Sequence, residues 1–347
     1  MTSLQVQSLL QVVYDPAAPA AHKRGAEAQL QQFGRSEGGL AWAVSTLQGP
    51  EADPQVLFHC AAVLREAAAF RWGGLPAGQR AAVRACLWQG LCQPPAQRPA
   101  FVAVKLATAL ARVAALDWPE RYPEFWGEVA GCLGDEARLG AGLTVLAATL
   151  EELQSLASTT SVGLRGQVRA VGGRGRAAGG RAPDAANAHA VPRRPLGTQV
   201  LYSQIPGVQA RLRELQPRSI SALCSLLHGW APQQAAQQWA PGQLAAMRHA
   251  LRTLSKALVD LPPLQQAQQA GLTLPAVAGL LLEYAGAQAW APPGSEAGEA
   301  CTEMAAAALG CLADLAMQPQ APGDARETAE LALGRLQARM GSAGPSR

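Results

Sequence analysis

Gly173-Arg174-Gly175-Arg176-Ala177-Ala178, near the middle of the chain, has the G-x-G-x-x-A form of a dinucleotide-binding turn. Such a turn holds a pyrophosphate only where it follows a strand and opens a helix, with an acidic residue about 20 positions on. Here no credible strand precedes the glycines, and no helix of that kind follows them. No G-x-x-x-x-G-K-[S/T] loop occurs either. Cys86 and Cys92 are separated by five residues, which fits no common zinc spacing, and no second cysteine pair follows. His59 and Cys60 are adjacent, and adjacent side chains on a helix point apart, so base and nucleophile would not meet. The five histidines form no ligand cluster. Glu151-Glu152 reads as a polar helix face rather than a catalytic pair. No catalytic, cofactor-binding or metal-binding residue is assigned, and an enzyme is not expected.

Charge and composition narrow the remaining classes. The net charge of +4 conceals a split: residues 163–195 contain seven arginines and one aspartate, so the rest of the chain is mildly acidic. An arginine–glycine tract can attract nucleic acid through phosphates, but no Phe, Tyr or Trp lies between Arg165 and Arg194 to stack on bases. A plain linker is the expected role there, with no nucleic-acid partner. No run approaches the roughly 18 apolar residues of a membrane span. The apolar stretch Leu9 to Tyr14 has neither a basic leader nor a small-residue cleavage site, so no signal peptide is expected. Seven scattered cysteines in Ala/Leu-rich stretches suggest reduced intracellular thiols packed as small hydrophobes.

The elements behind these residues read as helices throughout. Ala, Leu and Gln are abundant, while β-branched and aromatic residues are few. Apolar stripes predict helices over 4–14, 20–33 and 38–48. Asp53-Pro54 then pairs an N-cap with a proline at the first helical position. The helix it opens repeats Val56, Cys60, Val63, Leu64 and Ala67, with a second stripe of Leu57, Ala61 and Ala68, so neighbours must cover it. Further helices are expected over 78–92 and 98–116, with another starting at Pro123. The stripe Leu139, Leu143, Leu146, Leu150, Leu153 marks one more. Beyond it, 158–198 is expected to be a disordered Gly/Arg-rich linker, because it has little to bury against its ordering entropy. Weaker segments follow at 205–215, 217–229, 241–260, 273–285, 296–316 and 324–340, with a tail over 341–347. The fold class expected is all-α: a right-handed solenoid of antiparallel helix pairs of HEAT/ARM type, with repeats over 1–157 and degenerate ones over 199–340.

Four groups of residues within 1–157 resemble, in order and spacing, a known family. They are Ala26-Glu27-x-x-Leu30-x-x-Phe33; Trp72-x-Gly74-x-Pro76; Asp117-Trp118-Pro119-x-x-Tyr122-Pro123-x-Phe125; and Gly142-Leu143-x-x-Leu146-x-x-Thr149-x-Glu151-Glu152-Leu153. Together they resemble the N-terminal part of the importin-β superfamily of nuclear transport receptors (karyopherins), and within it the exportin-6 branch. Trp118 and Tyr122, beside their prolines, are expected to wedge between adjacent pairs and set the step of the superhelix.

The resemblance implies an export receptor that shuttles between nucleus and cytoplasm. Its implied partners are a Ran-type GTPase in its GTP form, a protein cargo (actin–profilin in that branch) and nucleoporins, and the chain is expected to be a monomer without cofactors. An import receptor of the same superfamily, or a HEAT scaffold without a transport role, are the alternatives. The resemblance implies that the GTPase meets the second helix of each early pair, where Arg65, Glu66, Lys105 and Arg112 are the candidate GTPase-facing positions; as charges on otherwise apolar helices they must face solvent or a partner. Glu66 departs from the family, where asparagine is common. Family members are also much longer, and counterparts of their cargo-wrapping repeats are not expected within these 347 residues.

Overall fold

The computed structural model describes residues 1–49, 53–93, 98–172, 207–230, 241–258, 274–287 and 295–316, with isolated positions at 327, 330 and 334; side chains in 158–172 are not described. Among the described residues there are twelve α-helices and no strands. They are α1 (Ser3–Tyr14), α2 (Ala20–Gly34), α3 (Glu37–Gln48), α4 (Pro54–Phe70), α5 (Ala77–Leu91), α6 (Ala100–Asp117), α7 (Phe125–Leu133), α8 (Leu139–Gly172), α9 (Val208–Gly229), α10 (Pro241–Leu258), α11 (Leu274–Ala285) and α12 (Glu296–Ala316). None is long and apolar enough to cross a membrane.

Local chemistry starts several of these helices. Thr2 and Gln5 form a reciprocal capping box at α1, with the Thr2 amide donating to Gln5 Oε1 at 2.8 Å. Ser36 Oγ accepts the Gly39 amide at 3.0 Å and opens α3. Asp53 caps α4 through the Gln55 amide at 2.7 Å, with Pro54 at the first turn as expected. The corner between α2 and α3 is tight enough to demand glycine: a Cβ on Gly39 would lie 2.1 Å from the Phe33 carbonyl oxygen.

Each odd-numbered helix packs on the even-numbered helix that follows it. The even helices α2, α4, α6, α8, α10 and α12 also pack successively on one another and form one row. The odd helices form the other row, with contacts such as α3 to α5 and α9 to α11. Each pair therefore buries its apolar face by stacking on the next, the arrangement of an all-α helical solenoid. One buried cluster runs from Val6 in α1 to Ala316 in α12. Its most enclosed member is α6, where Val102, Leu106, Leu110 and Val113 are fully buried between α4, α5 and α8.

Two boundaries differ from the sequence reading. The segments 205–215 and 217–229, expected separately, form one helix: α9 runs unbroken from Val208 to Gly229 through Pro217. Pro217 has no N–H to donate back to the Arg213 carbonyl. Leu215 before it and Ile220, Leu223 and Leu227 after it are nonetheless all buried in the same core, and their burial outweighs one lost bond. The backbone of α8 also continues as helix to Gly172, past the boundary expected at residue 158. Residues 173–198, with the dinucleotide-like pattern, lie outside the described residues, as do the tail over 341–347 and most of 324–340.

Candidate partner-binding face

The exposed edge of the even row gathers the charges that the sequence singled out. Arg65, Glu66, Lys105 and Arg112 all line one groove of about 480 Å³, crossed by α4 and α6 and bounded by the end of α2 and by α8. Arg65 and Glu66 reach it from the fourth turn of α4. Lys105 and Arg112 stand seven residues apart on α6, a spacing of two helical turns that keeps them on one face.

Their environments are unequal. Glu66 takes Arg35 Nε at 2.7 Å, and Arg71 Nη1 donates to the Arg35 carbonyl at 2.6 Å, tying the end of α4 to the end of α2. Arg112 Nη1 donates to Glu152 Oε1 at 2.7 Å, in a pair that bridges α6 and α8 and is largely withdrawn from solvent. Lys105 holds its ammonium 5.0 Å from the centre of the Phe58 ring, a cation–π contact. Burial, and then the nearby charge of Arg65, lower its pKa from the ordinary lysine value. Arg65 is exposed and has no ion-pair partner among the described residues. Of the four positions, two are engaged within the protein and two present charge outward.

The family-type motif builds the joints beneath this face. Trp72 is buried in a 3-10 turn over Trp72–Gly74, and Pro76 precedes the first residue of α5. Trp118, Tyr122 and Phe125 are buried together between α6 and α7, with the Trp118 and Phe125 rings edge to face at 6.5 Å. Trp88 Nε1 donates to the Tyr122 hydroxyl at 2.7 Å, and that hydroxyl donates to Glu128. Arg84 lies 4.5 Å over the Tyr122 ring and donates to the Arg121 carbonyl at 2.8 Å. Asp117, fully buried, pairs with Arg121 at 3.0 Å. Arg211 of α9 closes on the same turn, reaching Glu120 at 2.9 Å and the Ala115 carbonyl at 2.5 Å. Pro119 and Pro123 flank Tyr122 within that turn, while Glu151 is exposed and pairs with Lys256 of α10 at 2.5 Å.

Burial also settles the state of the isolated groups. The Cys60 thiol is pushed up to about 12 by burial, so it is protonated at neutral pH. His59 next to it is lowered by burial, partly opposed by Glu66. Among the described residues no three His, Cys, Asp or Glu side chains converge as metal ligands. The sequence reading missed Arg35 and Phe58, and it placed Glu152 in a helix motif rather than opposite Arg112. Arg35 follows a helix end, where no periodicity points to it. Phe58 gave one usable signal, an aromatic lying off both apolar stripes of α4.

The chain is similar to exportin-6. Over 164 residues it is 23% identical to exportin-6 of Mus musculus, a stretch covering 47% of this chain and 14% of that protein. The figures for exportin-6 of Homo sapiens are the same. No family model matches the chain. The likeness is thus to a small part of exportin-6, and it is a karyopherin-like relation of low identity. The helical solenoid agrees with it.

Proposed function

We propose that this protein is a nuclear export receptor of the exportin-6 kind. In this reading the even-helix face binds a Ran-type GTPase in its GTP form, and a protein cargo, with actin–profilin the first candidate, binds with it. The reading includes contact with nucleoporins and shuttling between nucleus and cytoplasm. The observation that supports it best is the gathering of Arg65, Glu66, Lys105 and Arg112 on one groove across successive even helices. The likeness to exportin-6 supports the class of receptor.

Such a receptor works by linkage. One partner stiffens the stacked row, so the second binds a surface already ordered, and each raises the affinity for the other by the same factor. A coupling of about 1–3 kcal/mol would correspond to a 5- to 150-fold change in cargo affinity.

The test is cargo recovery with the full chain as bait, using actin–profilin with and without GTP-loaded Ran. Recovery that rises with the GTPase supports export. Recovery that falls indicates an import receptor instead. If the GTPase binds in neither nucleotide form, the transport reading fails and a HEAT scaffold remains.

A further inference from the structure

Neighbouring helices of the even row are joined by ion pairs at nearly every step. Arg35 and Glu66 join the ends of α2 and α4 at 2.7 Å; Arg112 and Glu152 join α6 and α8 at 2.7 Å. Lys256 and Glu151 join α8 and α10 at 2.5 Å. Arg248 and Arg252 both reach Glu303, joining α10 and α12. The step from α4 to α6 has no such pair among the described residues. It sets Arg65 and Lys105 near one another instead, two like charges with no ion pair to either among the described residues.

We infer that the α4–α6 step is a docking site for an acidic, partly apolar segment of a partner protein, whose carboxylates supply the counter-charge to Arg65 and Lys105. The inference rests on the receptor reading for the location of the partner face and adds the chemistry of the contact. Charge complementarity is one support. The groove is lined by four cations, Arg35, Arg65, Lys105 and Arg112, and by two carboxylates, Glu66 and Glu152. The carboxylates neutralise Arg35 and Arg112, which leaves two positive charges, both at this step.

The apolar surroundings are a second support. Phe101 and Val104 lie on the same face of α6 as Lys105, at i, i+3 and i+4, and are 52% and 55% exposed. Phe70 at the end of α4 also lines the groove and is 52% exposed. The Phe58 and Phe101 rings meet at 6.0 Å across the two helices. An acidic segment carrying apolar side chains would cover these rings while its carboxylates sit between the cations. A nucleic acid fits less well: only two charges are free, and Glu66 and Glu152 would repel its phosphates.

Binding is measured by fluorescence anisotropy on the full chain. The probe is a labelled peptide alternating Asp and Glu with Leu and Phe, compared with the same peptide bearing Asn and Gln. A single-stranded oligonucleotide is a third arm, and GTP-loaded Ran is titrated in parallel. The acidic peptide is expected to bind at least tenfold more tightly than the amide peptide and to weaken with salt. The R65Q/K105Q double variant should lose that tenfold preference, while R248Q on α10 keeps it. Thermal melts monitor folding, which the exposed Arg65 position should leave unchanged. Equal binding of the two peptides, tighter binding of the oligonucleotide, or an undiminished preference in R65Q/K105Q overturns the inference. GTPase binding without peptide preference sinks the docking site alone. Peptide preference without GTPase binding sinks the receptor reading and leaves the acidic site standing.

Discussion

At the scale of single residues, the candidate face combines charges that hold the repeats together with charges that point outward. Arg112 and Glu152 belong to the first kind. Removing one member leaves the other withdrawn from water without a partner. Glu152→Ala should therefore lower stability by about 3 kcal/mol in urea unfolding, and R112M/E152L should recover most of that loss. The half-buried histidines give a pH prediction. His59 and His249 both have pKa values lowered by burial, and Lys256, Arg252 and Arg248 add to the lowering at His249. A lowered folded-state pKa means that the unfolded chain binds more protons between the two values. Stability should then fall as pH drops from the ordinary histidine value of about 6.5 through the lowered folded-state values. Melts of H59F/H249F should show a shallower decline over that window; an unchanged slope would place the titration elsewhere. The sequence showed these four charges as outliers on apolar helices, but not which were free. Arg35 and Arg112 find carboxylates 31 and 40 positions away in the chain, and only the stacking of repeats sets those distances.

At the scale of elements, helix starts were legible where local chemistry decides them. Asp53-Pro54 opened α4 as expected, and the leucine stripe from Leu139 to Leu153 marked α8. The join between 205–215 and 217–229 was not legible, because burial on both sides of Pro217 outweighs the local cost of a proline inside the helix. The tight corner after α2 is a different case, where the local rule has no competitor. Gly39→Ala would place a methyl carbon against the Phe33 carbonyl, and the chain must open the corner to admit it. A loss of about 2–3 kcal/mol is expected, read from the denaturation midpoint. A neutral result would mean that α3 can shift along α2 without cost.

At the scale of the whole molecule, the even row is continuous from α2 to α12, although the sequence reading set a boundary after 157. Contacts of α8 with α9 and α10 carry the stack across it. Arg211 reinforces the joint by reaching back from α9 to Glu120 and the Ala115 carbonyl. Arg211→Ala should loosen that joint, so hydrogen exchange in α9 quickens while exchange in α2 and α4 is unchanged. The arrangement of the two halves was not legible because the segment between them has no apolar periodicity, and the apolar face of α9 finds its partners on α8 and α10 only through long-range packing.

In the proposed receptor, the even-helix face binds a GTPase in its GTP form. Hydrogen-exchange footprinting of the full chain with Ran loaded with GTP or GDP tests it most directly. Slowed exchange in α4 and α6 near Arg65 and Lys105, with the GTP form only, is the predicted result. Protection confined to the odd helices, or the same pattern with both nucleotides, would contradict it.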